Sequence, residues 1–208
     1  MLLDFCFSFC KTLDLELTPN NIMKSSRDEK GFDMNDLILI AYFSRAGNNF
    51  VGDSIVNLPV GNTEVVAKMI AQLSGGELFK IDPVNQYSTD YTTCTKEAQK
   101  DLRSNARPEL VKYLDSIAKF NTIILGYPNY WSTMPMPVFT FLEKYDFSGK
   151  TILPFCTHEG SGLGNSERDI AALCPEAKVL KGLAIRGSNV NNVHEDVVHW
   201  LRNANLID

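Results

Sequence analysis

Short apolar runs of strand length alternate with stripes of helical spacing along most of the chain, and this alternation restricts the fold more than any other feature. Residues 37–43 are apolar throughout, which is typical of a strand covered on both faces. In the segment 63–73 the apolar residues recur at helical spacing, and the stripe ends before Gly75 and Gly76. Strand, loop and helix in this order predict the start of a βαβ unit.

The same alternation continues to the C-terminus. Further strands are predicted at 77–81, 122–126, 151–156 and 178–184. The helical segments are a polar helix-prone region at 92–105, an apolar stripe of Leu110, Tyr113, Leu114 and Ile117, a helix at 137–145, a helix ending at Ala172 and a final helix around 193–201. Parallel neighbours need crossover connections, so the sequence predicts an α/β fold: a doubly wound, five-stranded parallel sheet with helices on both faces.

Composition limits the function classes. The chain has 208 residues, 44% of them apolar, which suits one domain with a sizeable core. A net charge of −5 argues against a surface that neutralises nucleic-acid phosphates or anionic lipid. No apolar stretch approaches the roughly 18 residues of a membrane-spanning helix. We therefore expect neither a nucleic-acid partner nor membrane association.

The cysteines and histidines do not predict a metal site. The chain has five cysteines without C-x-x-C spacing, which predicts neither a disulfide framework nor a zinc site. Reduced thiols in a cytoplasmic protein are the simplest interpretation. His194 and His199 lie five positions apart, so one helix would not align them as metal ligands.

The first 33 residues differ in composition from the rest. Their apolar start lacks the basic region and cleavage site of a signal peptide, and Asp4 interrupts it. The following segment 11–33 is mostly polar, which is typical of chain that cannot bury enough apolar surface to order itself. We predict an N-terminal extension at 1–33, either disordered or the product of an upstream start, and one domain at 34–208.

Three loops follow predicted strands at the sheet edge where α/β proteins bind ligands. The first loop runs from Ser44 to Asn48 and reaches the first helix through Gly61, Asn62 and Thr63. Hydroxyl residues and glycine before a helix N-terminus are typical of a phosphate site, because backbone N–H groups and the helix dipole attract the anion. No lysine follows in the register of a nucleoside-triphosphatase loop. An ordinary N-cap at Asn62 or Thr63 explains the same residues.

The second loop is rich in aromatic residues, and the third is rich in glycine. Tyr130 and Trp131 are adjacent, so at least one of them is expected to face away from the core, and a planar ligand would explain it. Tyr127 is either a core residue or part of the same wall. In the third loop, 157–164, the glycines let the backbone approach a ligand. It is not a dinucleotide fingerprint, because Asn165 occupies the position of the last glycine.

Together the loops resemble those of the flavodoxin family, over residues 36–208. The resemblance rests on segments 42–47 (YFSRAG), 61–64 (GNTE), 126–131 (GYPNYW) and 157–162 (THEGSG). It implies a sheet of order 2-1-3-4-5 and one noncovalently bound FMN. It implies contacts to the phosphate from Ser44, Arg45, Ala46, Asn62 and Thr63, to the isoalloxazine faces from Pro128, Asn129, Tyr130 and Trp131, and to the pyrimidine edge from Thr157, His158, Glu159, Gly160 and Gly162.

The chain departs from the family pattern in the first loop. Flavodoxins have one uninterrupted phosphate loop, whereas residues 48–60 intervene here. Arg45 is unusual as well, since flavodoxins commonly bind the phosphate without a cation. It either contacts the phosphate or tethers the insertion to an acidic residue such as Asp53.

The third loop lacks the tyrosine that covers the outer flavin face in electron-carrier flavodoxins, and the loop 128–135 looks like that of flavodoxin-fold quinone and flavin reductases. Two functions therefore stay open. One is electron transfer through FMN to a redox partner protein; the other is an NAD(P)H-dependent FMN or quinone reductase with a small acceptor.

Two further features near the site keep two interpretations each. His158 either lies beside the flavin or only packs on its loop. The region 87–107 with Cys94 is either a lid or a solvated helix face.

Overall fold

The structure is a computed structural model that describes residues 37–208. The predicted extension at 1–33, and the predicted start of the domain at Met34, lie outside the described residues. The strands are β1 Leu37–Tyr42, β2 Gly47–Val51, β3 Ser54–Leu58, β4 Glu77–Lys80, β5 Phe120–Pro128, β6 Thr151–His158, β7 Lys178–Val179 and β8 Leu183–Arg186. The helices are α1 Asn62–Ser74, α2 Tyr91–Arg103, α3 Met136–Lys144, α4 Ser166–Leu173 and α5 His194–Asn203, with a 3-10 helix at Gly187–Asn192.

The main sheet is parallel throughout and has the order β4-β1-β5-β6-β7, with β8 also paired to β6. With β7 and β8 counted as one strand, this is the predicted order 2-1-3-4-5. The continuous strand predicted at 178–184 is divided into β7 and β8. Ile152 of β6 pairs with Val179 and Phe155 pairs with Leu183, so three steps along β6 correspond to four steps along its neighbour. The neighbour thus carries one extra residue, a bulge, opposite Pro154, which has no N–H to pair.

Apolar side chains cover both faces of this sheet. In β1, Leu39 and Ala41 belong to one core cluster, whereas Ile38 and Ile40 belong to the other. Successive side chains of a strand point to opposite faces, so a continuous apolar run fills two cores. The first cluster packs beneath α2, α3 and α4, and the second beneath α1 and α5. This is the doubly wound architecture expected from the sequence.

Two segments differ from the sequence predictions. The insertion forms a separate antiparallel hairpin of β2 and β3, with Gly47 paired to Leu58. The stripe around Leu110 is not helical, so that prediction is wrong. Its backbone instead bonds to the chain after β4, with Val84 N donating to Glu109 O and Val111 N donating to Asp82 O. These tertiary hydrogen bonds replace the ones that a helix would have supplied.

None of the helices between residues 37 and 208 combines the length and the apolar character needed to cross a membrane. Within the same residues, no group of three or more His, Cys, Asp or Glu side chains could hold a metal ion.

Candidate functional site

A groove of about 340 Å³ opens at the carboxyl edge of β1, β5 and β6, where all three predicted loops meet. Eleven of the predicted site residues line it: Ser44, Arg45, Asn62, Thr63, Pro128, Asn129, Tyr130, Thr157, His158, Glu159 and Gly160. Ala46 is exposed and, like Gly162, does not line the groove, while Trp131 lines a neighbouring cavity. Most of the site residues predicted from the sequence therefore line one groove.

The N-terminus of α1 forms the floor of the groove. The N-cap is Gly61, which has no side chain, so Asn62 and Thr63 are the first residues of the helix rather than its cap. Ser44 reaches across from the end of β1, and its Oγ accepts the N–H of Glu64 at 3.1 Å. Hydroxyls and helix amides are thereby gathered at the positive end of the helix dipole, which is an arrangement that attracts anions.

Two buried hydroxyls join the first loop to the third. Thr63 Oγ1 lies 2.8 Å from Thr157 Oγ1, and both residues are buried. The pair uses one hydroxyl hydrogen for its own bond, so the other hydrogen can be donated to a ligand. Because a buried hydroxyl hydrogen needs an acceptor, the position of this pair at the floor of a polar groove suits a ligand that supplies one.

Arg45 links the hairpin to the loop before α2. One of its terminal nitrogens donates to Ser88 O at 2.8 Å and Thr89 O at 3.2 Å, and the other donates to Asn48 O and to Asn49 Oδ1. Arg45 therefore does tether the insertion, but through neutral oxygens and not through Asp53. Its Nε is buried without a hydrogen-bond partner among the described residues.

In the second loop the aromatic residues take different roles. Tyr127 is fully buried, and its hydroxyl donates to Ser166 Oγ at 2.8 Å, so it is a core residue. Tyr130 packs edge-on against Phe43 and Tyr87, and burial raises the pKa of its hydroxyl well above the ordinary value. Trp131 is 49% exposed, as expected for one of the adjacent pair.

Asn129 fastens the second loop to the third. Its backbone N–H donates to Thr157 O at 2.9 Å, and its side-chain Nδ2 donates to Gly162 O at 2.9 Å. The side-chain oxygen accepts the N–H of Ser132 at 3.0 Å. Through these three hydrogen bonds Asn129 fixes the distance between the second and third loops, which form the two walls of the groove.

The third loop holds His158 in its neutral form. Nδ1 accepts the N–H of Gly160 at 2.8 Å, which leaves the ring proton on Nε2. Burial, and then the charge of Arg186, lower the pKa of His158, while Glu159 opposes them. Glu159 itself turns toward the 3-10 helix, where its carboxylate accepts the N–H of Ser188 at 2.7 Å.

Cys156 is not a nucleophile for this site. It is fully buried in the core beneath α4, and burial raises the pKa of its thiol far above the ordinary value. A thiolate is the reactive form of cysteine, so this buried thiol is inert at neutral pH.

Several groove residues were missed from the sequence: Asn49, Phe50, Leu58, Tyr91 and Gly187. Three of them come from the hairpin, whose fold was not predicted. Tyr91 is the first residue of α2, and its ring centroid lies 6.2 Å from that of Phe50. Gly187 reaches the groove from the end of β8, so only tertiary folding could reveal it.

The groove has features that fit a bound FMN. It is polar at the α1 end, where the hydroxyl pair and the N-terminus of the helix suit a phosphate. Glycine is required at its rim, because a Cβ at Gly61 would lie 2.3 Å from Ser44 Oγ, and one at Gly187 would lie 2.3 Å from Asn62 Nδ2. The volume lies within the usual range of cofactor and small-molecule sites.

Comparison with known proteins identifies the family. The family model described as Flavodoxin matches residues 37–204, which is most of the chain. The chain belongs to the flavodoxin family. The resemblance noted in the sequence is thus confirmed.

Solved structures of similar proteins share the fold. A candidate flavoprotein of Bacteroides uniformis is 29% identical, with a TM-score of 0.64 and coverage of 81% of this chain and 99% of its own. One from Bacteroides eggerthii is 25% identical, with a TM-score of 0.66 and coverage of 81% and 98%. A flavoprotein of Lactobacillus acidophilus, solved in complex with FMN, is 19% identical, with a TM-score of 0.55 and coverage of 75% and 97%. No curated protein matches the chain.

Proposed function

We propose that the protein binds one FMN noncovalently in this groove and transfers electrons through it. The observation that carries the proposal is the buried Thr63–Thr157 hydroxyl pair beside the N-terminus of α1, at the floor of a groove walled by the second and third loops. Membership of the flavodoxin family and the FMN complex of the Lactobacillus acidophilus protein support it. Bound FMN supplies the capacity to accept and release electrons, while the protein supplies position and electrostatics.

The phosphate would be held by neutral donors at the α1 end of the groove. Ser44, Asn62 and Thr63 supply side-chain donors there, and the amides of the first helical turn add a dipole that favours an anion. Arg45 brings a positive charge to the same wall. Ala46 has no polar side chain and does not line the groove, so any contact from it to the phosphate is proposed to come from its backbone.

The ring would lie between the second and third loops. Pro128, Asn129 and Tyr130 line one side, and the chain from Thr157 to Gly160 lines the other. Neutral His158 carries its proton on Nε2 and can donate it to an acceptor atom of the ring edge. Phe50 and Leu58 from the hairpin add apolar walls that exclude water from the groove.

The hydroxyl pair gives a direct test of FMN binding. Thr63→Val removes a donor from the buried pair while keeping the shape, and we expect about a tenfold or greater loss of FMN affinity, since a hydrogen bond to a charged group is worth about 1.5–3 kcal/mol. Thr140→Val on α3 is the control, because its hydroxyl bonds only within its helix, at 3.4 Å from Met136 O. Flavin absorbance and FMN fluorescence quenching measure the binding. A protein that fails to bind added FMN would overturn the proposal.

A second candidate is an NAD(P)H-dependent flavin or quinone reductase that uses the same groove. It is favoured by a further cavity of about 400 Å³ next to the groove, which leaves room for a small molecule. Anaerobic mixing of the FMN-loaded protein with NADPH or NADH separates the two. Rapid bleaching of the flavin absorbance supports the reductase, whereas bleaching only by a chemical reductant supports an electron carrier for a protein partner.

A further inference from the structure

The second cavity lies between α2, the hairpin and the second loop. It shares Arg45, Asn49, Tyr91, Asn129 and Tyr130 with the flavin groove, so the two spaces are neighbours across one wall. Its remaining lining comes from Cys94, Thr95 and Ala98 on α2 and from Trp131. Cys94, Thr95 and Ala98 have no part in the proposed flavin contacts.

Aromatic rings form much of the wall of this cavity. Tyr91, Tyr130 and Trp131 all border it. Flat apolar walls of this kind favour a planar ring, because aromatic side chains gain from stacked or edge-to-face contact beyond the area they bury. Ala98 leaves space between these rings on the α2 side.

Trp131 is held at the cavity by a strained turn and not by burial. Its φ is 53° and that of the following Ser132 is 67°, both in the left-handed region that non-glycine residues rarely adopt. The indole Nε1 donates to Thr95 O at 2.9 Å, so the ring is fastened to α2. Backbone strain of this kind is concentrated at binding and catalytic sites, where the surrounding structure maintains it.

Arg45 brings a positive charge to the cavity without forming an ion pair among the described residues, although it interacts with the charge of Asp90, whose pKa is lowered by hydrogen bonds from Thr93 and then by Arg45. Its two terminal nitrogens bond to neutral oxygens, and within the described part of the chain it makes no ion pair. Its Nε, the one remaining donor nitrogen, is buried and unpartnered. A cation that lines the cavity and is held in place by neutral oxygens favours an anionic ligand there.

We propose that this cavity binds a planar aromatic anion beside the flavin. Aromatic walls select the ring, and Arg45 selects a carboxylate or sulfonate attached to it. The placement next to the groove makes such a molecule the substrate class of the proposed redox protein. The role as a substrate rests on the proposed function, whereas binding to the cavity does not.

The test uses 2-naphthoate as the probe and its neutral analogue 2-naphthamide as the comparison, with the FMN-loaded protein in calorimetry. Thr95→Leu adds bulk to the cavity, and Thr92→Leu makes the same change at an exposed position of the same helix. We expect naphthoate to bind the unchanged protein about tenfold more tightly than naphthamide, because the cation interacts with its charge. We expect Thr95→Leu to weaken naphthoate about tenfold through overpacking, and Thr92→Leu to leave it unchanged.

Two further measurements keep the outcomes distinct. FMN affinity should be equal in the unchanged protein and in both variants; an FMN loss in Thr95→Leu that matches its naphthoate loss would overturn the proposal, because the cavity would then belong to the flavin site. Ala98→Leu fills the cavity from a second position, and circular dichroism of every variant checks for a folding defect, since Ala98 is buried in the first core cluster. Equal naphthoate binding by all variants, or no preference over naphthamide, would also overturn it. If FMN itself does not bind, tryptophan fluorescence still tests the cavity: naphthoate should quench the unchanged protein, and Trp131→Phe, which keeps Trp200, should lose that quenching.

Discussion

His158 shows how one side chain couples the site to pH. Its Nδ1 accepts the N–H of Gly160, and protonation would remove that acceptor. Because burial and Arg186 lower its pKa in the folded protein, the unfolded chain binds the proton more readily. The stabilising contribution of His158 is therefore complete above about pH 6.5, the ordinary histidine pKa, and is lost as the pH falls from there through the folded-state value.

We expect the FMN-free protein to lose more unfolding free energy between pH 7.5 and 5.5 than the variant His158→Asn, whose side-chain oxygen keeps an acceptor near Nδ1 but does not titrate. Urea unfolding at the two pH values, about 7.5 and 5.5, measures the difference. His199→Asn on the exposed side of α5 is the matched control and should keep the pH dependence of the unchanged protein. The explanation is wrong if both variants respond to pH alike, or if NMR titration of His158 gives a pKa above 6.5.

The hairpin is the element that distinguishes this site from an uninterrupted phosphate loop. Gly47 and Leu58 are register partners, so the chain leaves and re-enters the loop at nearby points, about 5 Å apart. The hairpin pairs with no strand of the main sheet, and it contributes Phe50 and Leu58 to the groove. Its removal should therefore spare the fold and alter the ligand site.

Deletion of residues 48–61 joins Gly47 to Asn62 and leaves the sequence SRAGNT. We expect cooperative unfolding to persist and FMN affinity to fall about tenfold or more, because two apolar walls are lost, each worth about 1.5–3 kcal/mol when fully buried. Fluorescence titration with FMN and circular dichroism measure the two effects. Phe50→Ala should reproduce part of the loss, whereas Ile55→Ala, at the paired position that does not line the groove, should not. Unchanged affinity in the deletion would show that the hairpin plays no part in the site.

The elements also show what the sequence could predict. Strands buried on both faces, such as the one containing Ile40, were found because a continuous apolar run has few other uses. The sequence also contains a signal for the hairpin that the sequence prediction did not use. Gly52 and Asp53 are a two-residue turn pair in a β-prone segment, between Val51 and Ile55. The stripe at Leu110 was misleading, because helical spacing also arises where tertiary hydrogen bonds hold an irregular segment. Tyr91 lies in the segment 87–107 that was a candidate lid, whereas Gly187 had no local signal, since only the crossover topology brings it to the groove.

At the scale of the whole molecule, the described cores are built from residues 38–207 and the family match spans residues 37–204. This agreement leads to a prediction about the extension proposed for residues 1–33. A chain that begins at Met34 should unfold at the same urea concentration as the full chain, because both sheet faces are covered by helices within the retained part.

Binding of FMN to the folded state gives a second comparison of the two chains. FMN at about 100 times its dissociation constant should stabilise either chain by about 2.7 kcal/mol, because binding to the folded state alone shifts the unfolding equilibrium. A lower midpoint without FMN in the shorter chain would assign residues 1–33 to the folded domain, whereas equal midpoints with a smaller FMN shift would assign them to the site.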